Sequence, residues 1–427
     1  MNSLSNILPP VLIWLGYLIY FLVDSQSSEF VYAANSILPI EEFDSLAHFS
    51  FENFIAPWRY RIVPRVLQWW MFTALRPSVG ISYLQVALGL SAGFAATALA
   101  SFYLLLRKLG SSVFWSMIGC ALAIGSFPLV FGYRLRNWMT LDDALSYFLL
   151  IVGLLLVLFN TNMRGRIWFV VVSVLAALTR ETTLLLSVVV LFDRRRTITE
   201  RIVMAAPAFV AFVGVRLLLF ETSEVTTTVG LPVPRLDLNL AEEGIVLTSA
   251  YAFAVFGVGW LLAAFGWVHF WRKRNGLTDN IWLFWITTLI ATMMLGGFNL
   301  LIGSIRENRI WFLAFPWVIG LGTLYLHEHS PNLLTTRNVR DVALVAIVLI
   351  VPVILFLLLV PGGGGGARLE TLQRIPGLTF VYESIWLQFS YRFNYIPGQF
   401  EHVLLQLALT GLLLVWQFVS IRTSRNR

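Results

Sequence analysis

Residues 167–192 read IWFVVVSVLAALTRETTLLLSVVVLF, an apolar stretch interrupted at its centre by Thr179, Arg180, Glu181, Thr182 and Thr183. The first apolar run, 167–178, gives about 18 Å of helix and the second is shorter, so neither alone reaches across a hydrocarbon core of about 30 Å. One straight span would place Arg180 and Glu181 near mid-bilayer, at about 3 kcal/mol per charge. A short re-entrant helix pair, turning back at the charged centre, removes that cost. The fold turns on which of the two forms.

Working outward, the chain of 427 residues is 58% hydrophobic and only 12% charged. A soluble domain carries about twice that charge. Apolar blocks of membrane length fall near 7–23, 79–106, 112–131, 141–159, 202–220, 246–270, 281–302, 310–326, 342–360 and 402–420. They must be helical, because lipid offers the backbone no hydrogen bonds. The expectation is an all-α polytopic membrane protein with about ten full spans plus the re-entrant pair. Residues 1–360 form the membrane core, 361–401 a flexible external loop opened by Pro361 and Gly362 to Gly366, and 402–427 the last span with a basic tail. The aromatic part of that loop, 378–395, suits the interface. The first stretch, 7–23, reads as an uncleaved span.

The net charge of +7 does not point to nucleic acid, because the basic residues sit in short clusters between apolar blocks. A single cysteine, Cys120, excludes a disulfide framework. With the N-terminus inside and the chain re-entrant at 167–192, every short inner loop is basic: Arg107 and Lys108, Arg164 and Arg166, Arg194 to Arg196, and Arg272 to Arg274. A single span there, with the N-terminus outside, satisfies the charge rule slightly better by count, but it exposes Arg107, Lys108, Arg164 and Arg166 outside and buries two charges mid-membrane. The expected location is a bacterial cytoplasmic membrane, with both termini cytoplasmic.

On the re-entrant reading the remaining charges share the outer side. They include Glu41, Glu42 and Asp44; Arg59, Arg61 and Arg65; Arg134, Arg136, Asp142 and Asp143; Arg180 and Glu181; and Arg306, Glu307 and Arg309. Arginine grips phosphate oxygens with a planar fork and keeps its charge, and a nearby carboxylate can take a proton from an attacking hydroxyl. That pairing suits group transfer from an anionic, lipid-linked substrate. His48 lies four residues after Asp44, but the other histidines fall elsewhere, so no metal-ligand set is assigned.

Three stretches resemble the GT-C superfamily of membrane glycosyltransferases, which includes protein O-mannosyltransferases and aminoarabinose transferases. They are Phe43 to His48 with Arg59 to Pro64, Ala177 to Leu186, and Arg306 to Phe312 followed by Pro316. The resemblance covers roughly residues 1–326. It implies a polyprenyl-phosphate sugar as donor and a lipid, glycan or protein acceptor, reacting on the extracytoplasmic face. Asp44 takes the general-base position, with Glu41 and Glu42 as alternates. Arg59, Arg61, Arg134, Arg136, Arg180, Arg306 and Arg309 are substrate or phosphate ligands, and Asp142, Asp143, Glu181 and Glu307 are supporting acids. No cofactor is assigned and a divalent metal stays open, because neither a clean Asp-Glu pair nor an Asp-x-Asp is present. The alternatives are a lipid-linked oligosaccharide flippase or transporter, and a glycan polymerase or ligase of different fold.

Overall fold

The computed structural model describes residues 8–16, 18, 61–80, 83–125, 141–218, 255–301 and 311–329. These residues are helical, with no strand among them. After the short helix at 8–16, the longer elements are α1 (Ile62–Val79), α2 (Tyr83–Lys108), α3 (Val113–Gly125), α4 (Leu141–Phe159), α5 (Met163–Ala177), a 3-10 turn (Glu181–Leu184), α6 (Leu185–Leu191), α7 (Ile198–Leu218), α8 (Val258–Arg272), α9 (Asp279–Leu301) and α10 (Phe315–His329). Among the described residues, four helical stretches are long and apolar enough to cross a bilayer: Gln85–Lys108, Leu141–Phe159, Ile198–Leu218 and Asp279–Gly297. The described part is that of a helical membrane protein. The expected spans near 342–360 and 402–420, and the loop at 361–401, lie outside the described residues.

α4 is the central helix. Most of its residues are buried, and Leu150, Ile151, Leu154 and Val157 have no exposed surface at all. α2 runs parallel to it, with Phe94 against Phe148 at 5.7 Å and Lys108 over the Phe159 ring at 5.3 Å. α5 runs back along α4, packed against both α4 and α7. The chain then breaks where the polar residues stand, and it reverses. Arg180 pairs with Asp143 at the start of α4. Leu186 packs where a Gly153 Cβ would lie. Arg195 donates to the carbonyls of Val157 and Leu158, each at 2.7 Å, at the far end of α4. Residues 163–166 and 193–201 therefore meet at one end, joined by the Arg166–Glu200 ion pair, and Arg180 lies at the other.

Two ends of the bundle follow. The basic end gathers Lys108, Arg166 and Arg194 to Arg196, with Arg194 on Asp279 at 2.8 Å. Lys273 and His269 both reach Glu328 there, at 2.6 and 2.7 Å. α8 and α10 run in parallel toward this end, with Gly266 against Leu321 and Gly322 against Leu262. α9 runs antiparallel to α10, where Trp317 donates to Thr287 at 3.0 Å and Trp311 packs on Gly296. Small residues allow these close approaches, which is how helices associate where lipid removes the hydrophobic drive between them.

The stretch 62–79 differs from expectation. No span is expected between the apolar blocks at 7–23 and 79–106, yet Ile62–Val79 is an 18-residue helix. Pro64 falls in its first turn, where a missing N–H costs nothing. Its buried positions, Arg65, Gln68 and Phe72, repeat at helical spacing. α1 starts beside Asp142 and Leu178 and ends at Gly80, whose φ of 64° closes the helix, only a short link before the start of α2. Both of its ends therefore lie at the end opposite the basic one, and the helix runs across that end with Val66 and Trp70 turned outward.

Candidate functional site

The end crossed by α1 is where the charged residues converge. Arg61 donates to Asp142 Oδ2 through Nη1 at 3.1 Å and to Glu181 Oε1 through Nη2 at 3.0 Å. Arg65, one turn further along α1, reaches the same Asp142 Oδ2 at 3.1 Å. Arg180 pairs with Asp143. Arg216, in the last turn of α7, stands 3.9 Å from Glu181 Oε2 and lies over the Phe212 ring. Four arginines and three carboxylates, from four separated segments, thus form one network among the described residues.

Each element positions its members for a local reason. Asp142 and Asp143 open α4, where a helix N-terminus favours negative charge. Arg180 and Glu181 sit at the break between α5 and α6, and the threonines around them hold the exposed backbone groups. Thr179 Oγ1 donates to Leu175 O at 2.7 Å and Thr183 Oγ1 to Arg180 O at 2.6 Å. α1 is tied to the same break by Val63 N–H donating to Leu178 O at 3.3 Å. Below the network, Tyr147 stands edge-on to Phe312 at 5.4 Å, and Phe312 stacks on Phe315 at 4.9 Å. These rings pack one turn of α4 beyond the two aspartates.

The network is deep. Asp142 and Asp143 are 1% exposed and Arg180 is 5% exposed. Charges at such burial persist only when paired and hydrogen-bonded. Among the described residues, Asp142 Oδ1, Arg61 Nε and Thr182 Oγ1 are buried without a hydrogen-bond partner.

Of the residues singled out from sequence, Arg61, Asp142, Asp143, Arg180 and Glu181 are brought together. Asp142 and Asp143 pair with distant arginines. Asp44, Glu41, Glu42, Arg59, Arg134, Arg136, Arg306, Glu307 and Arg309 lie outside the described residues. Two members of the network carry no site role in the sequence reading. Arg65 is grouped with the outer-side charges only, yet it stands four residues after Arg61, so a helical reading of that stretch puts both on one face. Arg216 was hidden inside an apolar block, where any arginine is a functional candidate. Among the described residues no three His, Cys, Asp or Glu side chains group to hold a metal ion.

The basic end is built differently. Asp193 accepts a two-pronged fork from Arg195 at 2.7 and 2.9 Å, and Arg196 Nε at 2.8 Å. Burial pushes the Asp193 carboxyl up, but these hydrogen bonds outweigh it and hold the group below the usual carboxylate range. Arg195 also covers the last carbonyls of α4, so this arginine closes a helix end and is more than a headgroup anchor.

Comparison of the chain with protein-family models, with curated proteins and with solved structures finds no match.

Proposed function

We propose that the chain is an integral-membrane glycosyltransferase of GT-C type, moving a sugar from a polyprenyl-phosphate donor to a lipid, glycan or protein acceptor at the extracytoplasmic face. The observation that carries this reading is the meeting of Arg61, Arg65, Asp142, Asp143, Arg180, Glu181 and Arg216 at one end of the helices. Keeping so many ionisable groups together at the edge of an apolar bundle is costly, and such groups mark functional paths. On this reading about ten spans surround the site, and the basic end faces the cytoplasm.

The chemistry balances simply. The acceptor oxygen bonds to the anomeric carbon, its proton passes to Asp44, and the bond from that carbon to the phosphate oxygen breaks. The phosphate leaves with the electron pair, and guanidinium groups at this end stabilise its growing charge. A positioned base contributes about 10²- to 10⁴-fold. Purified full chain in lipid nanodiscs, given a panel of polyprenyl-phosphate sugars, is expected to release polyprenyl phosphate, and Asp44→Asn to slow that release by at least about 100-fold. Release insensitive to Asp44→Asn moves the base to another group. No release from any donor, with lipid-linked glycan crossing liposomes that hold the chain, makes the protein a carrier and ends the transferase reading.

A further inference from the structure

We propose that Asp142, Arg61 and Thr182 form a subsite for the hydroxyl groups of a neutral sugar ring, distinct from any phosphate contact; its place in a reaction rests on the transferase reading. Asp142 gives one oxygen, Oδ2, to both Arg61 and Arg65, each at 3.1 Å. Its other oxygen, Oδ1, is buried and accepts no hydrogen bond from the described residues. On the same ion pair Arg61 Nε is a buried donor without an acceptor. Thr182, next in the chain to Glu181, adds a buried hydroxyl without a partner. The large majority of buried side-chain polar atoms in folded proteins are matched, so three unmatched ones on converging segments call for a ligand or solvent molecule.

The chemistry narrows what fits. A cation would find one free carboxylate oxygen, but the guanidinium groups of Arg61 and Arg65 sit on the other and oppose it. A phosphodiester would be drawn by the arginines and could accept from Arg61 Nε, but it has no proton to offer Asp142 Oδ1 and leaves that oxygen unmatched. A hydroxyl both donates and accepts, and adjacent hydroxyls on one ring supply several donors and acceptors at fixed spacing. Carboxylate, guanidinium and threonine hydroxyl are together matched by a polyhydroxylated ring. The sugar, and not the phosphate, is then the group read by Arg61.

The test measures binding without turnover. Purified full chain in nanodiscs is titrated calorimetrically with methyl glycosides of glucose, mannose, galactose and arabinose, and separately with inorganic phosphate. At least one glycoside is expected to saturate a site. Arg61→Lys, which keeps the charge but removes Nε, and Thr182→Val should each weaken it about tenfold, the usual worth of a hydrogen bond to such groups. The single-deoxy glycoside lacking the hydroxyl held by Asp142 should bind wild type about tenfold more weakly and show no added loss in Asp142→Asn. If Asp142→Asn does not fold, Arg61→Lys and Thr182→Val decide. No saturating glycoside, or binding unaffected by both of those variants, overturns the subsite and assigns the unmatched atoms to water. Inorganic phosphate competing at the same site overturns it as well. Glycoside binding without polyprenyl phosphate release removes the transferase reading and keeps the subsite; release that ignores Arg61→Lys and Thr182→Val removes the subsite alone.

Discussion

Asp143 and Arg180 meet almost out of reach of solvent, with side chains 1% and 5% exposed. Such a pair adds little net stability over apolar residues of the same shape, but removing one partner strands the other. Asp143→Ala is therefore expected to destabilise the purified protein by about 3–5 kcal/mol in a reversible unfolding titration in mixed micelles. Adding Arg180→Leu should recover part of the loss, so the double variant unfolds less readily than Asp143→Ala alone. Equal additive losses would mean that the two residues act separately. The identity of the pair was not legible in the sequence. Arg180 was visible as a charge inside an apolar run, but nothing local says which carboxylate answers it. The same holds for Asp142, whose partners Arg61 and Arg65 stand 81 and 77 positions away.

At the scale of the elements, the apolar helices were legible because an uninterrupted apolar run has few other fates, and the break at 178–184 because five polar residues cannot sit comfortably inside one. α1 was not, since its aromatic and basic residues give no run of membrane length. Its signal is the 61, 65, 68, 72 spacing, visible only to a search for helical period. Helix packing supplies a graded test. A Cβ on Gly153 would stand 2.6 Å from Leu186 Cδ1, the mobile end of a side chain, whereas one on Gly266 would stand 2.8 Å from the backbone oxygen of Leu321. Gly153→Ala is expected to cost about 1–3 kcal/mol, partly restored by Leu186→Val. Gly266→Ala should cost more, because a carbonyl cannot turn aside; thermal melts of the three variants rank them. The link between α6 and α7 offers a pH test. In the folded chain the Arg195 and Arg196 hydrogen bonds hold the Asp193 carboxyl below the usual carboxylate range, so its contribution to stability is fully present above the unfolded pKa and is lost as pH falls through the folded one. The stability advantage of wild type over Asp193→Asn should hold at pH 7 and shrink below about pH 4 in melts across that range.

For the whole molecule, the contacts sort the chain ends of every described helix into two groups, whatever the absolute orientation. Thr161 and Asn275 belong with the basic end, and Ser78 with the end carrying the arginine–carboxylate network. All three are exposed. Cysteines placed at Thr161 and Asn275 are expected to react with an impermeant maleimide from one compartment, and a cysteine at Ser78 from the other. Cys120 is buried and adds little background. Reaction of Thr161 and Asn275 from opposite sides would break the reversal at Arg180. The charge pattern allowed two readings of 167–192, and the contacts of Arg180 with Asp143 and of Arg195 with Leu158 show the chain turning back there.

α5 has only 15 residues, a rise of about 22 Å, and Ile167, Val171 and Leu175 on it are exposed. Lipid covering such a short greasy flank is stretched too thin to keep its resting depth, so the leaflet dips there to avoid baring acyl chains to water. The dimple would carry phospholipid headgroups down toward Arg180, shortening the climb for any amphiphile whose polar end must reach it.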